Sequence, residues 1–294
     1  MKPSAFAYHA PTTIAEAMDL ASTLDNAKLL AGGQTLMPMM NFRFVQPDHV
    51  IDLNTVSELQ GIDLQKGRLQ IGSMTRQRDI ERSELVRRVA PLIPEAYELV
   101  SHPQIRNRGT LGGSLCHLDP ASEQPCFLAA QGAELVLRSP RGERRVSMAD
   151  WALGYLTPNL EDGEVLARID IDLWPRGHGW SFTEYARRQG DYAIVGVAVL
   201  ASCDAHRRIT RLAVALCGIA AGPVRLSEVE AGALGREANE ALIGEVAAAA
   251  RAQDTVGDAH VSAEYRRHLA GVLSSRALRT AFERMQPSED EGTS

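Results

Sequence analysis

Near the start of the chain apolar residues recur at helical spacing, at Ile14, Ala17, Met18, Ala21 and Leu24, behind the hydroxyl pair Thr12-Thr13. They predict a first helix. Lys28-Leu29-Leu30-Ala31 reads as a short strand after it, and the segments 49–53 and 68–72 read as further strands. Residues 80–100 carry helical text, and residues 133–138 read as a strand ending in the turn Pro140-Arg141-Gly142. Ile169, Ile171 and Leu173 alternate with Asp170 and Asp172, which is the period of a half-buried strand. The segment 174–179, rich in Gly and Pro, then makes a boundary. Beyond it the pattern changes to two long apolar strands, 192–203 and 209–219, joined by a polar turn at 204–207. After Pro223 the text is helical: an Ala-rich stretch runs to Arg251. Ser262 is an N-cap candidate for a helix whose face carries Leu269, Val272, Leu273, Leu278, Phe282 and Met285. This suggests a small sheet covered by helices. The acidic, apolar-poor end is expected to be a disordered tail. With 294 residues the chain is long enough for two or three units that each bury a core.

Two glycine-rich turns interrupt this pattern, Ala31-Gly32-Gly33-Gln34-Thr35-Leu36 and Thr110-Leu111-Gly112-Gly113-Ser114. Adjacent glycines remove the Cβ atoms that would hold a ligand off the backbone, so N–H groups can approach a pyrophosphate. Thr35, Thr110 and Ser114 add hydroxyl donors at the same places. Neither turn continues into Gly-Lys-Ser/Thr, and neither has the Gly-x-Gly-x-x-Gly spacing, so a P-loop and a Rossmann fingerprint are both excluded. The pair suggests a flavin dinucleotide held between two loops.

A formal net charge of −6 gives no positive field for a nucleic-acid backbone. No apolar run reaches membrane-spanning length, and the N-terminus lacks the basic and hydrophobic regions of a signal peptide, so a cytoplasmic location is expected. Cys116, Cys126, Cys203 and Cys217 show no metal-ligand spacing and are expected to be reduced, partly buried thiols. Iron–sulfur centres, if electrons pass through them, belong to another chain. No Ser/His/Asp or Cys/His arrangement and no spaced carboxylate pair stands out, so no catalytic residue and no metal ligand is expected here. Arg106, Arg108, Arg187 and Arg188 lie beside the loops and read as solvated or surface-paired arginines.

The run from His102 through Thr110-Leu111-Gly112-Gly113-Ser114 to Pro120-Ala121-Ser122-Glu123 resembles the FAD-binding medium subunit of the molybdenum hydroxylase family. That family includes xanthine dehydrogenase, carbon monoxide dehydrogenase and quinoline oxidoreductase. The resemblance extends to Glu184-Tyr185-Ala186-Arg187-Arg188-Gln189-Gly190-Asp191-Tyr192-Ala193 and to Tyr265-Arg266-Arg267-His268-Leu269-Ala270, and covers nearly the whole chain. It implies an α+β fold: a two-lobed PCMH-type FAD-binding domain, with lobes at 1–60 and 61–176, and a C-terminal mixed sheet-and-helix domain of the CO dehydrogenase flavoprotein type at 180–286. The tail would then be 287–294.

The resemblance also implies noncovalent FAD. Its contacts would be the first loop, Leu29, Leu30, Ala31, Gly32, Gly33, Gln34, Thr35 and Leu36, and the second, Thr110, Leu111, Gly112, Gly113 and Ser114. Glu123 would lie near the adenosine, Leu166 would supply an apolar contact, and Asp191-Tyr192 would form a loop beside the isoalloxazine. Ser114 and Glu123 stand where many relatives carry asparagine and aspartate. The implied role is an electron-transfer subunit of a heterotrimer. It takes electrons from [2Fe-2S] clusters on a small subunit, beside a large molybdopterin-binding subunit, and passes them to an external acceptor. The alternative is a stand-alone FAD-dependent oxidoreductase acting directly on a small organic substrate.

Overall fold

A computed structural model describes residues 1–287. The chain opens with β1 (Ala7–His9), α1 (Ile14–Thr23), β2 (Ala27–Leu30), α2 (Leu36–Asn41) and β3 (His49–Asp52). The three strands form a parallel sheet in the order β1-β3-β2. The helix expected behind Thr12-Thr13 is α1, and Thr13 caps it by accepting the Glu16 N–H at 3.2 Å. Glu16 reaches back to the Thr12 N–H at 2.8 Å, so two orphan donors are satisfied reciprocally.

Next come β4 (Ile62–Gln65), β5 (Arg68–Gly72), α3 (Gln77–Arg82), α4 (Glu84–Val89), α5 (Leu92–Tyr97), α6 (Pro103–Arg106), α7 (Leu111–His117) and α8 (Glu123–Gln131). They are followed by β6 (Glu134–Ser139), β7 (Gly142–Ser147), the small ribbon β8 (Ala152–Gly154) and β9 (Thr157–Pro158), and β10 (Val165–Asp172). An antiparallel five-stranded sheet runs β4-β5-β10-β6-β7. The helical text expected over residues 80–100 is broken into α3, α4 and α5. Ser83 ends the first and caps the second, accepting the Val86 N–H at 3.3 Å, and Pro91 precedes the third.

The alternation in β10 is real, but it does not make a half-exposed strand. Ile169 and Ile171 enter the core, while Asp170 on the other face is only 1% exposed. Arg145 and Arg168 cover it with hydrogen bonds of 3.1 and 2.9 Å, and Arg68 lies 3.9 Å away. A central strand flanked by arginine-bearing neighbours buries even its polar side.

The last part contains β11 (Gly179–Tyr185), β12 (Val195–Cys203), β13 (Ile209–Cys217), β14 (Val224–Arg225), α9 (Ser227–Ala233), α10 (Glu240–Arg251) and α11 (Ala263–Arg284). Its strands form an antiparallel sheet in sequence order. All nine residues of β12 are buried because the sheet is covered on both faces. Val195, Val197 and Val199 pack with Leu273, Leu278 and Phe282 of α11. Ala198 and Leu200 pack in the same core as Phe127 and Leu128 of α8. The first long apolar strand begins at Val195, later than residue 192, while the second begins at Ile209 as expected, and the helical stretch before Arg251 is made of two helices. Ser262 caps α11 as expected, accepting the Tyr265 N–H at 3.2 Å. Three of the four cysteines are buried and Cys116 is intermediate. The expected tail lies, apart from Pro287, outside the described residues. No helix among the described residues is long and apolar enough to cross a membrane.

Candidate cofactor site

Strand β2 delivers the chain to Ala31, and the first glycine turn then leads into α2. Gly33 sits at φ +72°, a left-handed conformation that a branched residue adopts only with strain. Gly32 is buried for a different reason. A Cβ on it would overlap the carbonyl oxygen of Arg108 and come within 2.8 Å of the Gly109 Cα. The two turns, far apart in sequence, are therefore in backbone contact. A Cβ on Gly113 would meet the Ala31 Cβ at 3.2 Å, which makes the contact reciprocal.

The two turns are not equivalent in their backbone donors. In the first, the N–H groups of Gly32, Gly33, Gln34 and Thr35 have no hydrogen-bond partner among the described residues; the α2 ladder begins with Met37 N–H to Gly33 O at 3.2 Å. In the second every N–H from Leu111 to Ser114 is engaged. Leu111 donates to Thr75 O at 3.2 Å, Gly112 to Ser73 O at 2.8 Å, and Ser114 to Thr110 O at 3.3 Å. Gly113 donates to the Thr110 hydroxyl at 3.1 Å. The expectation that both turns offer open N–H groups is thus corrected for the second. Its glycines serve close packing: a Cβ on Gly112 would lie 2.6 Å from that of Ser73. The first turn is a donor row, and the second is a smooth wall against it.

Ser114 continues the wall. Its hydroxyl lies 3.1 Å from that of Ser122, the residue that opens α8. Glu123 follows, 3% exposed, its carboxyl pushed up to about 7 by burial and further by the negative charge of Asp119. Facing it from the end of β11 is Glu184, raised to about 8 by burial and by Glu123, with a buried Oε2 that lacks a hydrogen-bond partner. Tyr192 is 53% exposed as a residue. Its phenol is nonetheless shielded, and burial, then Asp119 and Glu123, lift it to about 12. Asp191, with Arg187 and Arg188, lines a cavity of about 340 Å³, within the usual range for small-molecule sites. The loop carrying these residues is folded onto the approach to the second turn, since a Cβ on Gly190 would come within 2.6 Å of the His102 ring.

The residues singled out from the sequence fall into three groups. Residues 29–36 and 110–114 meet directly. Glu123, Asp191 and Tyr192 adjoin them through Ser114, Ser122 and the Gly190–His102 contact. Leu166, 4% exposed, is buried in the core cluster that also holds Leu111 of the second turn and Leu115. Arg106, expected to be solvated or paired at the surface, is paired but buried. It is 8% exposed, paired with Glu81 through both Nε and Nη2 at 2.9 and 3.0 Å, and it holds the Val100 carbonyl at 2.8 Å. Glu184 was visible only as one letter of a matched run; no local signal marks it as buried. Among the described residues no group of three or more His, Cys, Asp or Glu could hold a metal ion.

A donor row facing a glycine wall fits a diphosphate-bearing ligand, and the family comparison specifies the class. Residues 4–174 match the family described as the FAD binding domain in molybdopterin dehydrogenase, and residues 180–281 match the CO dehydrogenase flavoprotein C-terminal domain. The chain belongs to this family of FAD-binding oxidoreductase subunits. It is 41% identical over 288 residues, 97% of each chain, to the caffeine dehydrogenase subunit beta of Pseudomonas sp. (strain CBB1). Among solved structures, carbon monoxide dehydrogenase from Hydrogenophaga pseudoflava superposes with a TM-score of 0.94 at 36% identity, covering 97% of this chain and 100% of that one. Quinoline 2-oxidoreductase from Pseudomonas putida 86 gives 0.91 at 34% identity, covering 96% and 99%.

Proposed function

We propose that this chain holds one FAD noncovalently between the first glycine turn and the wall formed by the second, and relays electrons within a larger molybdenum hydroxylase. The observation that carries this reading is the backbone contact of Gly32 with Arg108 and Gly109, which brings the first turn, with four N–H groups that have no partner among the described residues, against the glycine-rich second turn. In this reading Glu123 would accept hydrogen bonds from ribose hydroxyls, and Asp191-Tyr192 would border the flavin ring. Bound FAD would supply the redox chemistry; the protein binds, orients and shields it. Electrons arrive from [2Fe-2S] clusters on a small partner subunit, a large molybdopterin-binding subunit carries the substrate chemistry, and the acceptor is external. Lobes at 1–60 and 61–176 and a C-terminal domain at 180–286 are the proposed division of labour.

The test is purification of the intact assembly through this chain. Acid precipitation should release FAD, about one per chain, into the supernatant, and two further chains should copurify, one with molybdenum and one with iron–sulfur clusters. The organic substrate should bleach the flavin only in that assembly. A flavin-replete chain that turns over an organic substrate alone would overturn the relay reading in favour of a stand-alone oxidoreductase.

A further inference from the structure

Arg76 stands in the turn ahead of α3, and its guanidinium joins the two glycine turns. Its Nη1 donates to the carbonyl of Arg108, the same oxygen against which Gly32 is packed. Its Nη2 donates to Asn54 Oδ1 at 2.5 Å, and Asn54 in turn donates through Nδ2 to the Ala31 carbonyl at 3.0 Å. A continuous hydrogen-bonded chain therefore runs from the residue before Gly32 to the residue before Gly109.

The brace carries a charge that its surroundings do not neutralise. Among the described residues neither Arg76 nor Arg108 makes a salt bridge, although nineteen such contacts occur elsewhere in the chain. Burial and the charge of Arg108 both act against the charged form of Arg76, and the more distant Asp79 and Asp52 offset this only in part. An asparagine stands at the position where a carboxylate would have completed the pair. Two like charges beside four open N–H groups form a site for an anion.

We propose that Arg76 is a clamp for the anionic bridge of the bound dinucleotide: it fixes the two turns against one another and counters the diphosphate charge, with Arg108 as a second cation. The proposal deepens the FAD reading and rests on it. A guanidinium has five N–H donors, and the brace uses one on each terminal nitrogen, so donors remain for phosphate oxygens. A structural strut would have been served equally well by a neutral side chain; the unpaired charge is what points to an anion.

The test uses the full chain stripped of flavin and titrated with FAD, followed by flavin fluorescence, at low and high sodium chloride. Wild type should lose affinity as salt rises. Arg76→Gln should bind about tenfold to a hundredfold more weakly at low salt and show a shallower salt dependence. Arg76→Lys should keep the salt dependence while losing part of the affinity, because it retains the charge without the fork. Arg108 is exposed and holds the brace only through its carbonyl, so Arg108→Gln should fold normally and also flatten the salt dependence. Inorganic pyrophosphate should compete with FAD on wild type and much less on Arg76→Gln. Salt dependence unchanged in Arg76→Gln and Arg108→Gln, with melting of the stripped chain lowered alike by Gln and Lys at 76, would overturn the clamp and leave a strut. If stripped wild type takes up no FAD at any salt, the cofactor reading itself fails, and the clamp with it.

Discussion

Valine at position 32 would drive its Cβ into the Arg108 carbonyl and to 2.8 Å from the Gly109 Cα, so the turns would have to part. Gly32→Val is therefore expected to purify without flavin while keeping its far-ultraviolet circular dichroism; full flavin occupancy would contradict the two-turn cradle. Glu184 and Glu123 give a prediction of a different kind. Both hold their protons more tightly in the fold, to about 8 and about 7, than the ordinary glutamate value of 4.5. The unfolded chain releases these protons first, so folding stability is greatest on the acid side and falls as pH rises from about 4.5 to about 8. In Glu184→Gln the fall in melting temperature between pH 5.5 and pH 8.5 should shrink, and an unchanged fall would remove Glu184 as its source. The glycines themselves were legible in the sequence, since paired glycines at two places announce close backbone approach. Which turn keeps its donors open was not, because Thr75, Ser73 and Thr110 close the second turn through contacts that spacing does not reveal.

At the scale of elements, α7 depends on its cap. Thr110 accepts the Gly113 N–H, and the helix begins with Leu111-Gly112-Gly113, a poor start by intrinsic propensity. Thr110→Ala should cost about 0.5–2 kcal/mol of stability in chemical denaturation. A loss well below that range would mean that the helix is held by tertiary contacts alone. The strands β3, β5, β12 and β13 and the helices α1 and α11 were legible because apolar periodicity over their length matches one buried face or an entirely buried run. Neither α7 nor α8 was. The first is short and glycine-rich. The second is buried at every residue from Glu123 to Gln131, polar ones included, so it has no amphipathic stripe to read. The helical text of 80–100 was legible, but its division at Ser83 and Pro91 was not, because the apolar period continues across them.

For the whole molecule, α8 is the part shared between the two matched families of residues. Tyr97 donates to Gln124 at 3.1 Å on one side, while on the other Cys126 donates to the Ala215 carbonyl at 3.3 Å and Arg225 to the Ala129 carbonyl at 2.7 Å. Residues 1–178 expressed alone should leave that second face of α8 bare, bind a hydrophobic dye and fail to remain soluble. A monodisperse, flavin-loaded fragment would show that the second face is dispensable. The shared helix also imposes a sequence of events on synthesis. The ribosome releases α8 well before β11, β12 and β13, so the nascent chain carries an unfinished helix whose outer face has no cover until the last strands emerge. Glu123 meets Glu184 and Tyr192 only then. The proposed FAD site draws its glycine turns from residues translated early and its Asp191-Tyr192 loop from residues translated late, so cofactor loading there would be a step that waits for most of the polypeptide.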